Sequence, residues 1–159
     1  MQEGKVRALE IFDLTGKVAI VTGGNGGLGK GIALGLAAAG AHILVAARNQ
    51  AKTALALQEV QALGVRALGL QVDVSREAEV ERRVQACVEG FGRVDILVNN
   101  AGTLVRKRPE LATAQEWEGV LGTNLVGTFL CSKAVYPHMK AVGGGKVINI
   151  GSMTSIFGS

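Results

Sequence analysis

The chain has 159 residues, about the length of one domain, and 48% of them are hydrophobic and 19% charged, which excludes an intrinsically disordered chain. Glycine contributes 23 residues and proline only 2, without a Gly-X-Y period, so the composition excludes a collagen-like chain and favours tight turns with close helix–sheet packing. The net charge of +4 comes from scattered lysine and arginine residues without interleaved aromatic residues, and we therefore expect no nucleic-acid partner.

Short apolar runs alternate with longer helical patterns along the chain. The runs are rich in β-branched residues and lack polar alternation, which is typical of strands buried on both faces. They cover residues 17–22, 42–47, 67–74, 94–99 and 146–150. The helical patterns between them cover residues 28–39, 50–63, 75–88 and 113–139. Strands separated by helices predict an α/β fold with a parallel sheet and right-handed crossovers.

Residues at the predicted helix ends fit known capping patterns. Ser75 and Thr113 are predicted N-caps, and Glu116 stands at the capping-box position behind Thr113. Gly64 is the predicted C-cap of the second helix. We expect Trp117 to pack on one face of the fourth helix rather than to contact a ligand. The predicted buried stripe of the second helix consists of Leu55, Val60 and Leu63.

A glycine-rich turn follows the first predicted strand and leads into a helix. Its residues are Thr22, Gly23, Gly24, Asn25, Gly26, Gly27, Leu28 and Gly29. Glycine allows the tight reversal, the close approach of backbone to phosphate and the close packing of helix on sheet. The free N–H groups and the positive end of the helix dipole then face an anion. Because a strand precedes the turn and a helix follows it, we favour pyrophosphate binding over a turn without function.

The end of the second predicted strand bears on the choice of dinucleotide. A carboxylate there would accept hydrogen bonds from the ribose hydroxyls and repel a 2′-phosphate. The sequence instead reads Ala46-Ala47-Arg48, and a guanidinium group can bind a phosphate with two hydrogen bonds. We therefore predict NADP(H) as the cofactor, with NAD(H) as the second choice. The alternative is that Arg48 is a solvated surface residue.

Five ordered motifs together resemble those of the short-chain dehydrogenase/reductase family. They span nearly the whole chain, which makes the combination far more specific than any single motif. The matching positions are the Thr-Gly-x-x-x-Gly-x-Gly pattern at Thr22, Gly23, Gly27 and Gly29, then Asp73-Val74, Asn99-Asn100-Ala101-Gly102, Asn124 and Ile150-Gly151-Ser152.

This resemblance implies a fold, a cofactor site and a reaction. The fold would be a Rossmann-type, doubly wound parallel sheet of strand order 3-2-1-4-5 in one dinucleotide-binding domain over residues 1–159. The reaction would be hydride exchange between a nicotinamide cofactor and a carbonyl or alcohol substrate, in a homo-oligomer. Ser152 would hold the substrate oxygen, and Asn124 would anchor a water in the proton relay. The residues expected to contact the cofactor are Thr22, Gly23, Asn25, Gly26, Gly27, Leu28, Gly29, Arg48, Asp73, Val74, Asn100, Ala101 and Gly102.

The chain departs from the family pattern after Ser152. The family places a catalytic Tyr-x-x-x-Lys beyond this serine, but residues 153–159 contain neither tyrosine nor lysine. We therefore expect the fold to be incomplete on its C-terminal side and the chain alone to lack turnover. Tyr136 and Lys140 have the right spacing, but they precede Ser152 beside Pro137, and we assign them a structural role. The alternative function is a non-catalytic nucleotide-binding or interaction module.

The remaining chemistry-bearing residues predict no further site. Cys87 and Cys131 are isolated thiols without a CxxC motif, which indicates a reduced, cytoplasmic protein with small buried side chains at both positions. The first 14 residues carry Glu3, Glu10 and Asp13 and lack the apolar core of a secretory signal. No apolar run reaches the ~18 residues of a membrane span, and the two histidines stand apart from other metal ligands. We expect neither a metal nor a membrane partner.

Overall fold

The structure, a computed structural model, describes residues 11–157. The expected lack of a secretory signal rests partly on residues 1–10, which lie outside this range. The strands are β1 (Val18–Thr22), β2 (His42–Ala47), β3 (Ala67–Gln71), β4 (Ile96–Asn99) and β5 (Lys146–Asn149). They form one parallel sheet in the order β3-β2-β1-β4-β5. This is the Rossmann-type α/β arrangement with the predicted strand order.

Helices connect these strands and cover both faces of the sheet. Their bounds are α1 (Gly27–Ala38), α2 (Gln50–Gln61), α3 (Glu77–Phe91), α4 (Ala114–Leu121), α5 (Gly127–Ala141) and α6 (Thr154–Phe157). A 3₁₀ turn at Pro109–Leu111 precedes α4, and a π-helical turn at Gly122–Val126 joins α4 to α5. The predicted fourth helix is therefore one long helical segment with a π-helical interruption in its middle.

The core forms two layers because successive strand residues point to opposite faces of the sheet. On one face, Ile20, Leu44 and Leu97 pack with residues of α3 and α5. On the other face, Ile43 and Val45 pack with residues of α1 and α2. Both layers are almost entirely aliphatic, so the sheet is the rigid element that carries the loops at its edge.

Both cysteines belong to the first of these layers, as predicted. Cys87 lies on α3 and Cys131 on α5, and both side chains are buried. Burial raises the pKa of each thiol to about 12. The thiolate form is therefore scarce at neutral pH, and both residues act as small apolar groups.

The predicted stripe on α2 is wrong at two of its three positions. Leu55 is 61% exposed and Leu63 45% exposed, whereas Val60 is buried. The helix turns a face of small residues, including Thr53, toward the sheet instead. The reason lies on β3, where a Cβ at Gly69 would stand 2.6 Å from Thr53 Cγ2. Because glycine leaves that space open, Thr53 and Leu57 pack closely on β3, while Leu55 and Leu63 face outward.

One of the three predicted caps is confirmed. Thr113 Oγ1 accepts the N–H of Glu116 at 3.2 Å, and Glu116 Oε2 accepts the N–H of Thr113 at 3.0 Å, which is a capping box. Gly64 is not the C-cap, because α2 ends at Gln61 and Ala62 is its C-cap. Gly64 lies two residues further on, where its φ of +83° and its N–H bond to the carbonyl of Gln61 turn the chain away from the helix. Ser75 is not a cap, because its hydroxyl donates to Asp73 and α3 begins one residue later than predicted, after Arg76.

An apolar stripe runs along the outer side of α4, the π-helical turn and α5. Its members recur mostly at four-residue intervals, which places them on one helix face. They are Trp117, Leu121, Leu125, Phe129 and Tyr136. Trp117 lies on this helix face, away from the cleft, and is 63% exposed. We call these residues the apolar stripe. Strand β5 is also exposed and is an edge strand of the sheet among residues 11–157.

A buried carboxylate ties the amino ends of β1 and β4 together. Asp95 has a side chain only 7% exposed, and it accepts two hydrogen bonds from Arg93, at 2.7 and 2.6 Å. It also accepts the N–H of Val18 at 3.0 Å, and Lys17 lies 3.5 Å away. Burial by itself would raise the pKa of Asp95, but the bonds from Arg93 and Val18 and the nearby positive charges outweigh it and hold the pKa below its usual value.

We expect Asp95→Ala to destabilise the fold by roughly 1–3 kcal/mol, because it leaves the buried N–H of Val18 without its acceptor, whereas Arg93 and Lys17 can turn to solvent. A depressed carboxylate pKa contributes stability above the unfolded-state pKa, and this contribution is lost as the pH falls through the folded-state pKa. Urea unfolding at neutral and acidic pH measures both effects. The exposed Lys30–Glu59 pair is the control, since Glu59→Gln is expected to cost at most ~1 kcal/mol. Equal losses in the two variants would refute a special role for Asp95.

Candidate functional site

The candidate site is a cleft of about 330 Å³ at the carboxyl edge of the sheet. It lies where β1 pairs with β2 on one side and with β4 on the other, which is the point where the strand order reverses. Open α/β sheets bind ligands at such a switch point. The cleft wall consists of Gly23, Asn25, Gly26, Ala46, Ala47, Arg48, Asn49, Lys52, Val72, Asp73, Val74, Asn100, Ala101, Gly102 and Thr123.

The glycine-rich turn forms one wall of this cleft and ends at the start of α1. Gly23 has φ of +65° and Gly27 has φ of +50°, a region that costs other residues ~1–2 kcal/mol. The N-cap of α1 is Gly26, which has no capping side chain, and the first turn of the helix contains no acidic residue. The first N–H groups of α1 thus meet neither a side-chain cap nor a negative charge. This arrangement suits an anionic ligand.

Gly29 and Gly23 allow the turn to pack directly against the loop after β4. A Cβ on Gly29 would collide with the carbonyl oxygen of Gly23 and with Asn100 Nδ2. A Cβ on Gly23 would stand 3.0 Å from Asn100 Nδ2 and 3.2 Å from the Cα of Ala101. The absence of side chains at both positions therefore determines the shape of the turn. Such a cradle fits the pyrophosphate of a dinucleotide.

Thr22 lies behind the cleft wall and joins the ends of β1 and β4. Its side chain is buried, and its hydroxyl donates to the carbonyl of Val98 at 3.2 Å. The same oxygen accepts the N–H groups of Asn100 at 2.9 Å and Ala101 at 3.0 Å. Asn100 Nδ2 donates in turn to the carbonyl of Thr22 at 2.9 Å. Thr22 thus positions the wall residues after β4 and does not itself line the cleft.

The other predicted cofactor residues divide into wall residues and supporting residues. Gly27, Leu28 and Gly29 do not line the cleft, and Leu28 is 63% exposed. They form the beginning of α1, where the backbone rather than the side chain faces the turn. The predicted residues that do line the wall are Gly23, Asn25, Gly26, Arg48, Asp73, Val74, Asn100, Ala101 and Gly102.

Three residues that sequence reasoning missed shape the same wall. Asn49 caps α2 by accepting the N–H of Lys52 at 2.9 Å. Asn25 Nδ2 donates to the carbonyl of Asn49 and to Thr53 Oγ1, at 3.1 Å each, which anchors the glycine-rich turn to α2. Lys52 adds a second cation to the wall beside Arg48. An asparagine before an apolar helix was a detectable capping signal, whereas the position of Thr123 in the π-helical turn had none.

Asp73 is a constrained, ionised group on the opposite side of the cleft. Its Oδ1 accepts both the hydroxyl of Ser75 at 2.7 Å and the N–H of Ser75 at 3.0 Å. The hydroxyl bond is the main reason that the pKa of Asp73 lies below its usual value, with smaller contributions from the Ser75 N–H and the charges of Arg48 and Arg76, and with partial burial opposing them. Glu79 accepts the N–H of Asp73 at 3.0 Å and braces the loop. No sequence pattern marks this role of Glu79.

Asn124 joins the π-helical turn to the loop after β4. Its Oδ1 accepts the N–H of Thr103 at 2.8 Å, and its Nδ2 donates to the carbonyl of Thr103 at 2.9 Å. The hydroxyl of Thr128 donates to the carbonyl of Asn124 at 2.9 Å. Gly102 lies directly beside this amide, since a Cβ there would be 3.6 Å from Asn124 Oδ1. Asn124 therefore borders the cleft at Gly102 without lining it.

Ser152 follows β5 at the same edge of the sheet. Its Oγ accepts the N–H of Thr154 at 3.2 Å and shares a hydrogen bond with Thr154 Oγ1 at 2.7 Å. The end of β5 is held against β4 because Asn99 Nδ2 donates to Asn149 Oδ1 at 2.9 Å. Neither Ser152 nor the Tyr136–Lys140 pair lines the cleft, and Tyr136 lies on the exposed apolar stripe.

Residues 11–157 contain no group of three or more histidine, cysteine, aspartate or glutamate side chains that could hold a metal ion. Within the same residues, no helix is both long and apolar enough to cross a membrane.

Comparison with known proteins identifies the family. The short chain dehydrogenase model matches residues 17–159. The chain is 41% identical over 151 residues to 2-dehydro-3-deoxy-D-gluconate 5-dehydrogenase of Escherichia coli K12, covering 94% of this chain and 59% of that protein. It is 37% identical over 150 residues to 3-oxoacyl-[acyl-carrier-protein] reductase of Synechocystis sp. PCC 6803, covering 92% of this chain and 60% of that protein. The chain thus spans about 60% of the length of these curated relatives.

Solved structures agree with this result. A short-chain type dehydrogenase/reductase from Mycobacterium marinum superimposes with a TM-score of 0.89 at 34% identity, covering 92% of this chain and 60% of that one. An NAD⁺-bound xylitol dehydrogenase superimposes with a TM-score of 0.88 at 33% identity, covering 92% of this chain and 56% of that one. With motifs, fold and relatives in agreement, this chain belongs to the short-chain dehydrogenase family, whose members named here are oxidoreductases.

Proposed function

We propose that this chain binds NAD(P)(H) as part of an oxidoreductase that transfers hydride between the nicotinamide and a small carbonyl or alcohol substrate. The observation that carries the proposal is the glycine-walled cleft at the β1/β4 switch point, where side chains at Gly23 and Gly29 would crowd Asn100, a residue of its wall. The names of the two relatives, a dehydro-sugar-acid dehydrogenase and a 3-oxoacyl reductase, support a carbonyl or alcohol substrate. When bound, the nicotinamide supplies the hydride chemistry.

The residues of the chain hold and orient this cofactor. The N–H groups at the start of α1, with Gly26 before them, bind the pyrophosphate. Asp73 and Val74 line the adenine end, and Asn100 to Gly102 line the opposite wall. Asn124, fixed by its two bonds to Thr103, holds the π-helical turn beside Gly102. Ser152 contributes a hydroxyl that can donate to a substrate oxygen.

We predict a preference for NADPH over NADH, set by Arg48. Charge-assisted hydrogen bonds are worth ~1.5–3 kcal/mol each, so Arg48→Asp should weaken NADPH binding roughly 10- to 100-fold. NADH should then bind at least as tightly as NADPH, because the new carboxylate repels the 2′-phosphate and accepts bonds from the ribose hydroxyls. Isothermal titration of both dinucleotides into both proteins measures the two affinity ratios.

The control for this experiment is Arg106→Asp. Arg106 is exposed and lies outside the cleft wall, so its replacement makes the same charge change without reaching the dinucleotide. The control should keep the parental ratio of NADPH to NADH affinity. If Arg48→Asp also keeps that ratio, Arg48 does not bind the 2′-phosphate.

We further propose a homo-oligomer in which a second copy covers the apolar stripe. The support is the size of the exposed side chains on one continuous helix face, from Trp117 to Tyr136, since patches of this kind mark interaction surfaces. We also propose one dinucleotide-binding domain over residues 1–159 and action in the cytoplasm. The two buried, unpaired cysteines support a reducing compartment.

A second candidate function is a non-catalytic nucleotide-binding module. It is favoured by one observation, that neither Ser152 nor the Tyr136–Lys140 pair lines the cleft. Both functions share the cofactor cleft and differ in turnover. A protein that contains this chain, binds NADPH and carries a Tyr-x-x-x-Lys beyond Ser152 would support the enzyme if it turns over a carbonyl substrate. Binding without turnover in that protein would support the module.

A further inference from the structure

A second cleft of about 440 Å³ adjoins the cofactor cleft beyond Asp73. The two clefts share Arg48, Val72 and Asp73 as wall residues. The second one lies between the end of β3 and the outer side of α3. Its charged wall residues are Arg48, Arg76, Arg82, Arg83, Asp73 and Glu79. Four guanidinium groups thus face two carboxylates, so the cleft carries an excess of positive charge. We call it the arginine cleft.

Among residues 11–157, only two of these four arginines form a hydrogen bond or a salt bridge. Arg76 lies 3.9 Å from Asp73 and 3.6 Å from Glu79 and so faces both carboxylates. Arg82 Nε donates to the carbonyl of Ala78 on its own helix at 3.1 Å. Neither Arg48 nor Arg83 forms a hydrogen bond or a salt bridge with any residue between 11 and 157.

Arg83 is the unusual member of the cleft because it is half-buried. Its stem on α3 lines a small apolar cavity together with Val80, Val84 and Leu97. Its Nε is shielded from solvent and has no hydrogen-bond partner among the described residues. A shielded N–H without a partner is costly. The rest of the guanidinium group borders the open cleft without a salt bridge among the described residues, so an anion entering the cleft would pair with its charge.

We propose that the arginine cleft binds a phosphate group between Arg83 and Arg48, separate from the pyrophosphate site at the start of α1. Guanidinium groups match phosphate oxygens with paired hydrogen bonds. The phosphate has two candidate sources, the 2′-phosphate of the cofactor and a separate phosphate-bearing molecule. The inference that the cofactor's 2′-phosphate binds here rests on the proposed function, whereas binding of a separate phosphate-bearing molecule does not. In both cases Arg48 connects the arginine cleft to the adenosine end of the cofactor cleft.

The test compares Arg83→Met with Arg106→Met in the 159-residue chain. Methionine keeps an apolar stem for the small cavity but removes the charge, and Arg106 provides the matched loss of one exposed charge. Inorganic pyrophosphate is titrated at constant ionic strength, with and without saturating NADH, and NADPH and NADH are titrated separately. Arg83→Lys, which keeps a positive charge, should recover part of the binding and serves as a second variant if Arg83→Met does not fold.

Each result has a defined meaning. With NADH covering the glycine-rich turn, Arg83→Met should weaken pyrophosphate binding roughly 10- to 100-fold relative to the control if the phosphate comes from a separate molecule. A loss of that size for NADPH but not for NADH identifies the 2′-phosphate as the source. If Arg83→Met matches Arg106→Met for every ligand, the proposal is overturned. If neither dinucleotide binds, the proposed function fails, and pyrophosphate binding to the two variants alone still decides the arginine cleft.

Discussion

The purified 159-residue chain is expected to show no measurable oxidation of NADPH with any carbonyl substrate, even where NADPH binds. General acid–base catalysis contributes about 10²–10⁴-fold to a rate. In the family, a tyrosine beyond the serine supplies that proton, and residues 153–159 contain no tyrosine. Ser152 can donate a hydrogen bond to a substrate oxygen, but a hydroxyl is a poor proton donor at neutral pH. Tyr136 is 64% exposed on α5 and lies outside the cleft wall.

The assay follows NADPH absorbance with a panel of ketones, sugar acids and 3-oxoacyl compounds. Tyr136→Phe is the diagnostic variant, because it removes the phenol hydroxyl of the local Tyr136–Lys140 pair and keeps the ring. Turnover that persists in the parent chain and disappears in Tyr136→Phe would contradict our interpretation. It would assign the proton transfer to this pair.

The second large effect is expected at Gly29, where alanine should abolish dinucleotide binding. The added Cβ would collide with the carbonyl of Gly23 and with the amide of Asn100. The start of α1 must then move away from the glycine-rich turn, which disturbs the N–H groups proposed to bind the pyrophosphate. Because each charge-assisted bond is worth ~1.5–3 kcal/mol, the loss of two bonds weakens binding by a factor on the order of 100 or more.

Gly35→Ala is a matched control on the same helix. A Cβ at Gly35 would meet no atom within 4 Å, and alanine favours a helix over glycine by ~1 kcal/mol. This variant should bind NADPH like the parent and unfold at a higher temperature. Calorimetric titration and thermal unfolding of both variants measure the two effects. Equal affinities in Gly29→Ala and Gly35→Ala would refute the close packing as the cause.

The sheet and its order could be predicted because their signals are local. Each strand is a short apolar run, and the glycine-rich turn lies between a strand and a helix in the sequence itself. The stripe on α2 could not be predicted, since its orientation depends on Gly69, which belongs to a different element. Ser75 does not cap α3, because the carboxylate of Asp73 accepts its hydroxyl instead.

The candidate site was predictable in its motifs but not in its supporting contacts. Arg48 and Asp73 stand at strand ends, which a sequence pattern locates and the structure places on the cleft wall. Whether Thr22 faces the ligand or the loop after β4 depends on its bonds to Asn100 and Ala101. The arginine cleft could not be predicted from the sequence either. Arg83 stands beside polar residues on its helix, and only the packing of the folded chain shows that it is half-buried.

A crystal structure of the 159-residue chain with NADPH tests the central claim most directly. We predict one dinucleotide in the cleft, with its pyrophosphate within hydrogen-bond distance of the first N–H groups of α1 and its 2′-phosphate beside Arg48. The adenine should lie against Asp73 and Val74, and the nicotinamide should point toward Gly102. A dinucleotide bound elsewhere, or a cleft without NADPH at saturating concentration, would contradict the account.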